Sequence, residues 1–450
     1  MTTHWLRDRL ASFGDRPALV EGVDAVSYAA LARSVDEWDR HLSAEGLGAG
    51  SVVAIHGDYG PSTVAALLAL LVGGRVAVPL TAAVGDRLPS FLDTARAQAV
   101  LHFDGDVLER IERRPDVHEP HPLLARIRAE GAPGLVLFSS GSTGRAKASL
   151  LNFEHLVEKF REQRRGFVAL TFLLLDHIGG INTLMYLLSN GGTVVPLRDR
   201  NPRAVCAAIE RHGVELLPTT PTFLNMLLIS EAHRAFDIGS LELVTYGTEP
   251  MPESTLTHLH AALPSVRLKQ TYGLSELGIL RTRSRDSGSL WVRVGGDGYE
   301  TKVVDGTLRI KARAAMLGYL NAPSPFDDEG WFDTGDRVQV DGDYLRILGR
   351  ETDIINVGGE KVYAAEVESV LLEMDGVRDA SVAGRANAVT GQVVTARLSL
   401  DEPEDRRALR RRIRRFCRGR LEPFKVPVQV EVVQGELHNA RFKKTRRSEA

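Results

Sequence analysis

The sequence predicts an α/β fold: a large N-terminal domain of mostly parallel sheets covered by helices, with a small β-rich subdomain, followed by a small C-terminal α+β domain. Three observations carry this. Short apolar runs alternate with longer amphipathic segments from about residue 15 to 285, several of those runs end in Gly, Ser or Thr, and the texture changes to period-two stretches and turns from about residue 287.

The runs "SVVAIHG" (51–57), "RVAVPL" (75–80), "AVLHF" (99–103), "LVLFSS" (135–140), "VELLPTTP" (214–221), "LELVTYG" (241–247) and "VRLKQTYG" (266–273) have the length and apolar content of buried strands. The stretch "VAALLALLVGGRVAVPL" (64–80) is broken by Gly73, Gly74 and Arg75, short of the about 20 apolar residues that span a bilayer. It reads as a buried helix feeding a strand. Residues 289–314, "SLWVRVGGDGYETKVVDGTLRIKARA", alternate as hairpins do, which defines the β-rich subdomain at about 287–348. After "GRETD" a new unit begins, with helix "AAEVESVLLEM", strands "VRDASVAG" and "GQVVTARLSL", an Arg-rich helix near 403–418 and strand "VQVEVVQ". The expected division is therefore 1–348 and 349–450.

Composition narrows the function. The 56 basic and 58 acidic residues give a net charge of −2, so nothing global points to nucleic acid. Cys206 and Cys417 lie far apart without metal spacing, and the N-terminus lacks a secretory apolar core, so the expected setting is the cytoplasm, without membrane association.

Ligands of α/β proteins gather beyond the carboxyl ends of strands. The first such place is "SSGSTGRAK" (139–147), whose small residues let a backbone approach an anion, whose hydroxyls donate to phosphate oxygens, and which carries Lys147 as a mobile cation. It lacks the spacing of a P-loop, because Arg145 and Ala146 separate Gly144 from Lys147. Further motifs follow in order: "YGTEPM" (246–251), "TYGLSE" (271–276), "GWFDTGD" (330–336), "GRETDIINVGGEKVYAAEVE" (349–368) and "NARFKKTRR" (439–447). Upstream of them, "LLLDHIGGINTL" (173–184) places Asp176 and His177 between an apolar strand and a Gly-Gly break.

This ordered set resembles the adenylate-forming superfamily of acyl- and aryl-CoA synthetases, peptide-synthetase adenylation domains and luciferases, over nearly the whole chain. The resemblance implies that Ser139, Ser140, Gly141, Ser142, Thr143, Gly144 and Lys147 grip the β- and γ-phosphates of ATP. It implies that Gly247, Thr248, Glu249 and Pro250 border the adenine, that Thr271, Tyr272 and Gly273 continue this wall with Tyr272 stacked on the purine, and that Asp336 with Arg350 binds the ribose hydroxyls. Glu276 would hold Mg²⁺, with Thr143 as a second metal contact and Ser275 standing where relatives carry Thr. His177 would face the reacting carboxylate. Asp176 would orient that imidazole or meet an amino group on the substrate. Gly358 and Gly359 would line a pantetheine passage after the mobile C-terminal domain rotates.

Several positions depart from the pattern. Ala146 and Ala148 replace the Pro and Gly that usually flank the loop Lys, Phe153 replaces a His, and Thr352 occupies the hinge position. In the tail, aligning "NAR" to the usual Asn-Gly-Lys puts Arg441 in the adenylating position, whereas aligning "TRR" to a Lys-x-x-Arg ending selects Lys444. We take Lys444, with Lys443 and Arg441 as rivals, because a Lys serves as a mobile point charge.

The resemblance implies an ATP- and Mg²⁺-dependent ligase that converts a small carboxylic acid to an acyl-adenylate, releases pyrophosphate, and passes the acyl group to a thiol of CoA or an acyl carrier protein. The nine arginines of residues 404–420 read as a solvated face or as a dock for such an anionic acceptor. Its rivals are a relative with a non-thiol acceptor in a natural-product pathway, either an amide synthetase or a nitrite-activating arylamine diazotase, and a non-catalytic adenylate-binding protein.

Overall fold

The computed structural model describes residues 4–115, 121–139, 146–439 and 441–446. Two seven-stranded sheets form the body of the N-terminal part. In the first, Val52–His56, Val76–Leu80, Ala99–Asp104 and Gly134–Ser139 run parallel, and Lys147–Asn152 turns back antiparallel beside Gly134–Ser139. In the second, Leu216–Thr219, Leu243–Tyr246 and Arg267–Gln270 are parallel neighbours in register. Their carboxyl ends therefore open on one side.

Helices fill the space between sheets. Pro61–Val72, with Pro at its first turn, has 10 of its 12 residues buried and leads into strand Val76–Leu80, as its all-round apolar sequence requires. The Arg75 that interrupts this run is itself 1% exposed. Its guanidinium donates to Asp39 Oδ1 at 2.6 Å, the Leu47 carbonyl at 2.6 Å and Ser43 Oγ at 3.0 Å, which pins helix Tyr28–Ala44 to the mouth of the strand. The Gly-Gly expected as a break lies instead inside helix Ile178–Ser189. A Cβ on Gly180 would meet the Leu174 carbonyl oxygen at 2.0 Å, so only glycine lets the preceding loop lie this close.

A six-stranded antiparallel sheet runs from Arg281 to Arg350. The C-terminal unit follows: a five-stranded sheet carrying helices Ala364–Leu372 and Arg406–Cys417. Helix Arg406–Cys417 buries Leu409, Ile413 and Cys417 and turns Arg407, Arg411 and Arg414 to solvent, with Arg418 exposed just past its end. This is a mixed α/β architecture with a large N-terminal and a small C-terminal part. Among the described residues, no helix is long and apolar enough to cross a membrane.

Candidate active site

A cavity of about 560 Å³ lies where the strand ends of both large sheets, the antiparallel sheet and the C-terminal tail converge. Strands Gly134–Ser139 and Lys147–Asn152 pair so that Ser139 faces Lys147, and both residues line the cavity. Ser140, Gly141, Ser142, Thr143 and Gly144 lie outside the described residues. The returning end of this loop is held by a residue that sequence reading missed: Asn321 donates to the Ala146 carbonyl at 2.8 Å and accepts from the Ala148 N–H at 3.0 Å.

Glu276 sits on the same wall, largely buried. Its Oε1 accepts from the Tyr319 hydroxyl at 2.7 Å, and the Lys147 ammonium lies 5.1 Å from the centre of the Tyr319 ring. Burial and the adjacent Glu276 carboxylate push the Tyr319 phenol well up, so it remains a donor. Among the described residues no group of three His, Cys, Asp or Glu forms a metal cluster. One oriented carboxylate beside the Ser139–Lys147 hairpin is nonetheless a fitting donor set for Mg²⁺, which takes most of its ligands from phosphates and water.

Gly247, Thr248, Glu249, Pro250, Thr271, Tyr272, Gly273 and Ser275 also line the cavity. A Cβ on Gly247 would meet Thr271 Oγ1 at 2.5 Å, which explains why glycine follows strand Leu243–Tyr246. Glu249 also holds neighbouring elements together. Its carboxylate accepts from the Thr222 N–H at 2.8 Å, the Thr222 hydroxyl at 2.5 Å and the Lys444 N–H at 3.1 Å. Tyr272 donates to Asp336 Oδ2 at 2.5 Å, and Arg350 Nε lies 3.7 Å from Asp336 Oδ1. Burial holds the Asp336 carboxyl above the usual range, while Tyr272 and Arg350 oppose that shift. Gln270, which closes strand Arg267–Gln270, is a second residue that sequence reading missed. It lines the cavity with Oε1 buried and unpartnered among the described residues.

His177 caps helix Ile178–Ser189 by accepting from the Gly179 N–H at Nδ1, 3.0 Å, which puts the ring proton on Nε2. Burial, with help from Lys443 and Arg441, holds its pKa well below the ordinary value, so the ring is neutral. Asp176 does not orient this imidazole. Its Oδ2 instead accepts from Thr81 Oγ1 at 3.1 Å and Arg441 Nη2 at 2.7 Å.

The tail separates its candidates clearly. Lys444 borders the cavity, but its amine is bonded to Asp379 and the Ala380 carbonyl in the C-terminal unit. This geometry does not favour the assignment of adenylation to Lys444. The Lys443 amine makes no hydrogen bond among the described residues and faces the cavity, and burial lowers its pKa to about 8 against the pull of Glu249. Gly358 and Gly359 do not line the cavity. They form a left-handed turn, φ +62° and +94°, between strands Ile354–Val357 and Glu360–Tyr363.

The cavity joins the Ser139–Lys147 hairpin, the Glu276 carboxylate, the Tyr272–Asp336 pair and a lysine of the C-terminal unit, and the chain is an AMP-forming ligase. The chain belongs to the AMP-binding enzyme family: the family's main model matches residues 6–320, and the model of its C-terminal domain matches 366–445. It is 28% identical to indoleacetate–CoA ligase of Aromatoleum aromaticum, over 94% of this chain and 92% of the relative. Its fold superposes on an anthranilate CoA ligase in complex with anthranoyl-AMP with a TM-score of 0.80, at 19% identity over 98% of this chain and 95% of the other. The amide bond synthetase McbA from Marinactinospora thermotolerans gives 0.72 at 23% identity, over 96% and 95%.

Proposed function

We propose that the protein activates a small carboxylic acid with ATP and transfers the acyl group to a thiol. The carrying observation is the Lys443 amine, which makes no hydrogen bond among the described residues and faces the cavity that Glu276 and Lys147 also line. In this reading the acid's carboxylate oxygen attacks the α-phosphorus, the bond to the pyrophosphate oxygen breaks, and the Lys443 cation balances charge building between them. Ser139 and Lys147 hold the outgoing phosphates. Gln270 accepts from the purine amino group, and Asp336, kept in place by Tyr272, accepts from the ribose hydroxyls. Glu276 would hold Mg²⁺, which when bound neutralises phosphate charge. The neutral His177 ring offers its Nε2 proton toward the carboxylate end.

The similarity to a CoA ligase over nearly the full length of both chains supports a thiol acceptor, CoA or a carrier protein. The solvent-facing arginines 407, 411, 414 and 418 support an anionic one. The similarity to an amide bond synthetase supports a second reading, in which an amine takes the acyl group. Acid-dependent pyrophosphate release, screened over aliphatic, aromatic and amino acids, tests activation. AMP release on adding CoA, holo-carrier protein or amines then decides the acceptor. If only amines release AMP, the thiol reading is wrong, and if no acid releases pyrophosphate, activation itself is.

A further inference from the structure

Lys443 is one residue of a tail that is fastened on both sides. Asn439 shapes its turn: the Asn439 side chain accepts from the N–H groups of Arg441 at 2.9 Å and Lys443 at 3.2 Å, and its carbonyl accepts from the Phe442 N–H at 2.9 Å. Phe442 stands at φ +53°, where a side chain larger than glycine's costs about 1–2 kcal/mol. Contacts outside the tail must compensate. The Phe442 ring lies 5.2 Å from Phe172, 5.9 Å from Phe223 and 5.0 Å from His438, with the Arg200 guanidinium 5.3 Å from its centre. Its carbonyl accepts from Thr220 Oγ1 at 2.8 Å.

On one side of this anchor Arg441 pairs with Asp176, and on the other the Lys444 N–H is held by Glu249. Asp176 is 4% exposed, and its Oδ1 is buried without a partner among the described residues. With Arg441 withdrawn, the only described donor left to that carboxylate is the Thr81 hydroxyl, a costly state for a buried charge. The Arg200 guanidinium also feels the Asp176 charge and does not leave with the tail, so what seating the tail adds to Asp176 is the guanidinium hydrogen bond of Arg441.

We propose that Asp176 and Phe442 are positioning residues: through Arg441 and the aromatic anchor they hold the Lys443 amine at the reacting carboxylate, and they govern adenylate formation but not acyl transfer. This rests on the role of Lys443 given above. The test measures acid-dependent ATP–pyrophosphate exchange and, separately, AMP release from supplied acyl-adenylate, in Arg441→Ala, Arg441→Lys, Phe442→Ala and Lys443→Ala. The acid is the one that releases most pyrophosphate in the screen. Misplacing the amine in Arg441→Ala or Phe442→Ala is expected to cut exchange kcat roughly 10- to 100-fold. The KM for ATP and transfer from supplied adenylate are retained, and Arg441→Lys recovers part of the exchange. Exchange that is unchanged in both variants, or that falls in parallel with transfer, overturns the proposal. Asp176→Asn serves as a further check, with Arg441→Ala decisive where the buried change impairs folding. If Lys443→Ala keeps exchange, the role of Lys443 fails. If it abolishes exchange while Arg441→Ala and Phe442→Ala match wild type, only the positioning role fails.

Discussion

The amines of Lys443 and Lys444, adjacent in the chain, have different commitments: Lys444 Nζ is bonded to Asp379 and the Ala380 carbonyl, whereas Lys443 Nζ faces the cavity. The two substitutions should therefore separate. Lys443→Ala is expected to lower pyrophosphate exchange by at least about 100-fold with little change in unfolding temperature. Lys444→Ala leaves Asp379, mostly buried, without its cation and should cost about 2–4 kcal/mol of stability in the C-terminal unit. Exchange and thermal unfolding measured on both variants check this, and the reverse pattern would return the role to Lys444.

Because burial brings Lys443 to about 8, its charge is present below that pH and lost as pH rises through it. Adenylation kcat/KM should fall on that alkaline limb, and Lys443→Arg, whose guanidinium stays charged, should remove the limb even where it lowers the rate. His177 gives the opposite signature, in stability. Its folded pKa is lowered, so between that value and 6.5 the unfolded chain binds more protons, and stability declines as pH falls below 6.5. Replacing His177 with Gln should flatten that decline in a denaturation series against pH.

The hydrogen bond from Tyr319 occupies Glu276 Oε1, so under the proposed function Oε2 is the oxygen left for Mg²⁺. Tyr319→Phe deletes a donor to a charged group, worth about 1.5–3 kcal/mol, so the Mg²⁺ concentration for half-maximal exchange should rise roughly tenfold or more. Activity should be restored by excess Mg²⁺. A Mg²⁺ titration identical to wild type would remove Tyr319 from this role.

Arg75 makes a stability prediction away from the site. Its buried guanidinium donates to acceptors on Asp39, Ser43, Leu47 and Ala69. Arg75→Met retains much of the side-chain stem but strands the Leu47 carbonyl and leaves Asp39, itself partly exposed, without its closest cation. The expected loss is about 2–4 kcal/mol, read by chemical denaturation, with exchange kinetics unchanged at low temperature.

Much of the site was legible because the parallel strands end in the motifs that carry the chemistry. "LELVTYGTEP" and "VRLKQTYGLSE" place their last residues on adjacent strand ends, so Gly247 and Thr271 meet as their sequence position implies. What stayed hidden depends on contacts that no local pattern encodes. Asn321 binds the loop end 175 positions upstream, and Arg441 meets Asp176 across 265. The tail lacks any period, so the choice between neighbouring lysines rested on alignment of a short basic string. Three-dimensional placement, with Phe442 forced to a positive φ, separates them. Gln270 left a signal that went unused: a polar residue closing a buried strand immediately before "TYGLSE".

Asp336 shows how the site trades stability for binding. It is 7% exposed, and burial raises its pKa despite the Tyr272 hydroxyl and the Arg350 guanidinium. A carboxyl whose folded pKa is raised binds more protons in the folded state than in the unfolded one, so its ionisation at neutral pH works against folding. Asp336→Asn is isosteric, removes that charge and keeps an acceptor for Tyr272. It should unfold at a higher temperature than wild type at pH 8, and the gap should shrink as pH falls toward the carboxylate range, where Asp336 protonates. The same substitution should raise the KM for ATP roughly tenfold or more, because a neutral amide accepts from ribose hydroxyls less strongly than a carboxylate. A variant destabilised at pH 8 would show that Tyr272 and Arg350 outweigh the cost of burial, and an unchanged KM would take Asp336 out of the nucleotide site.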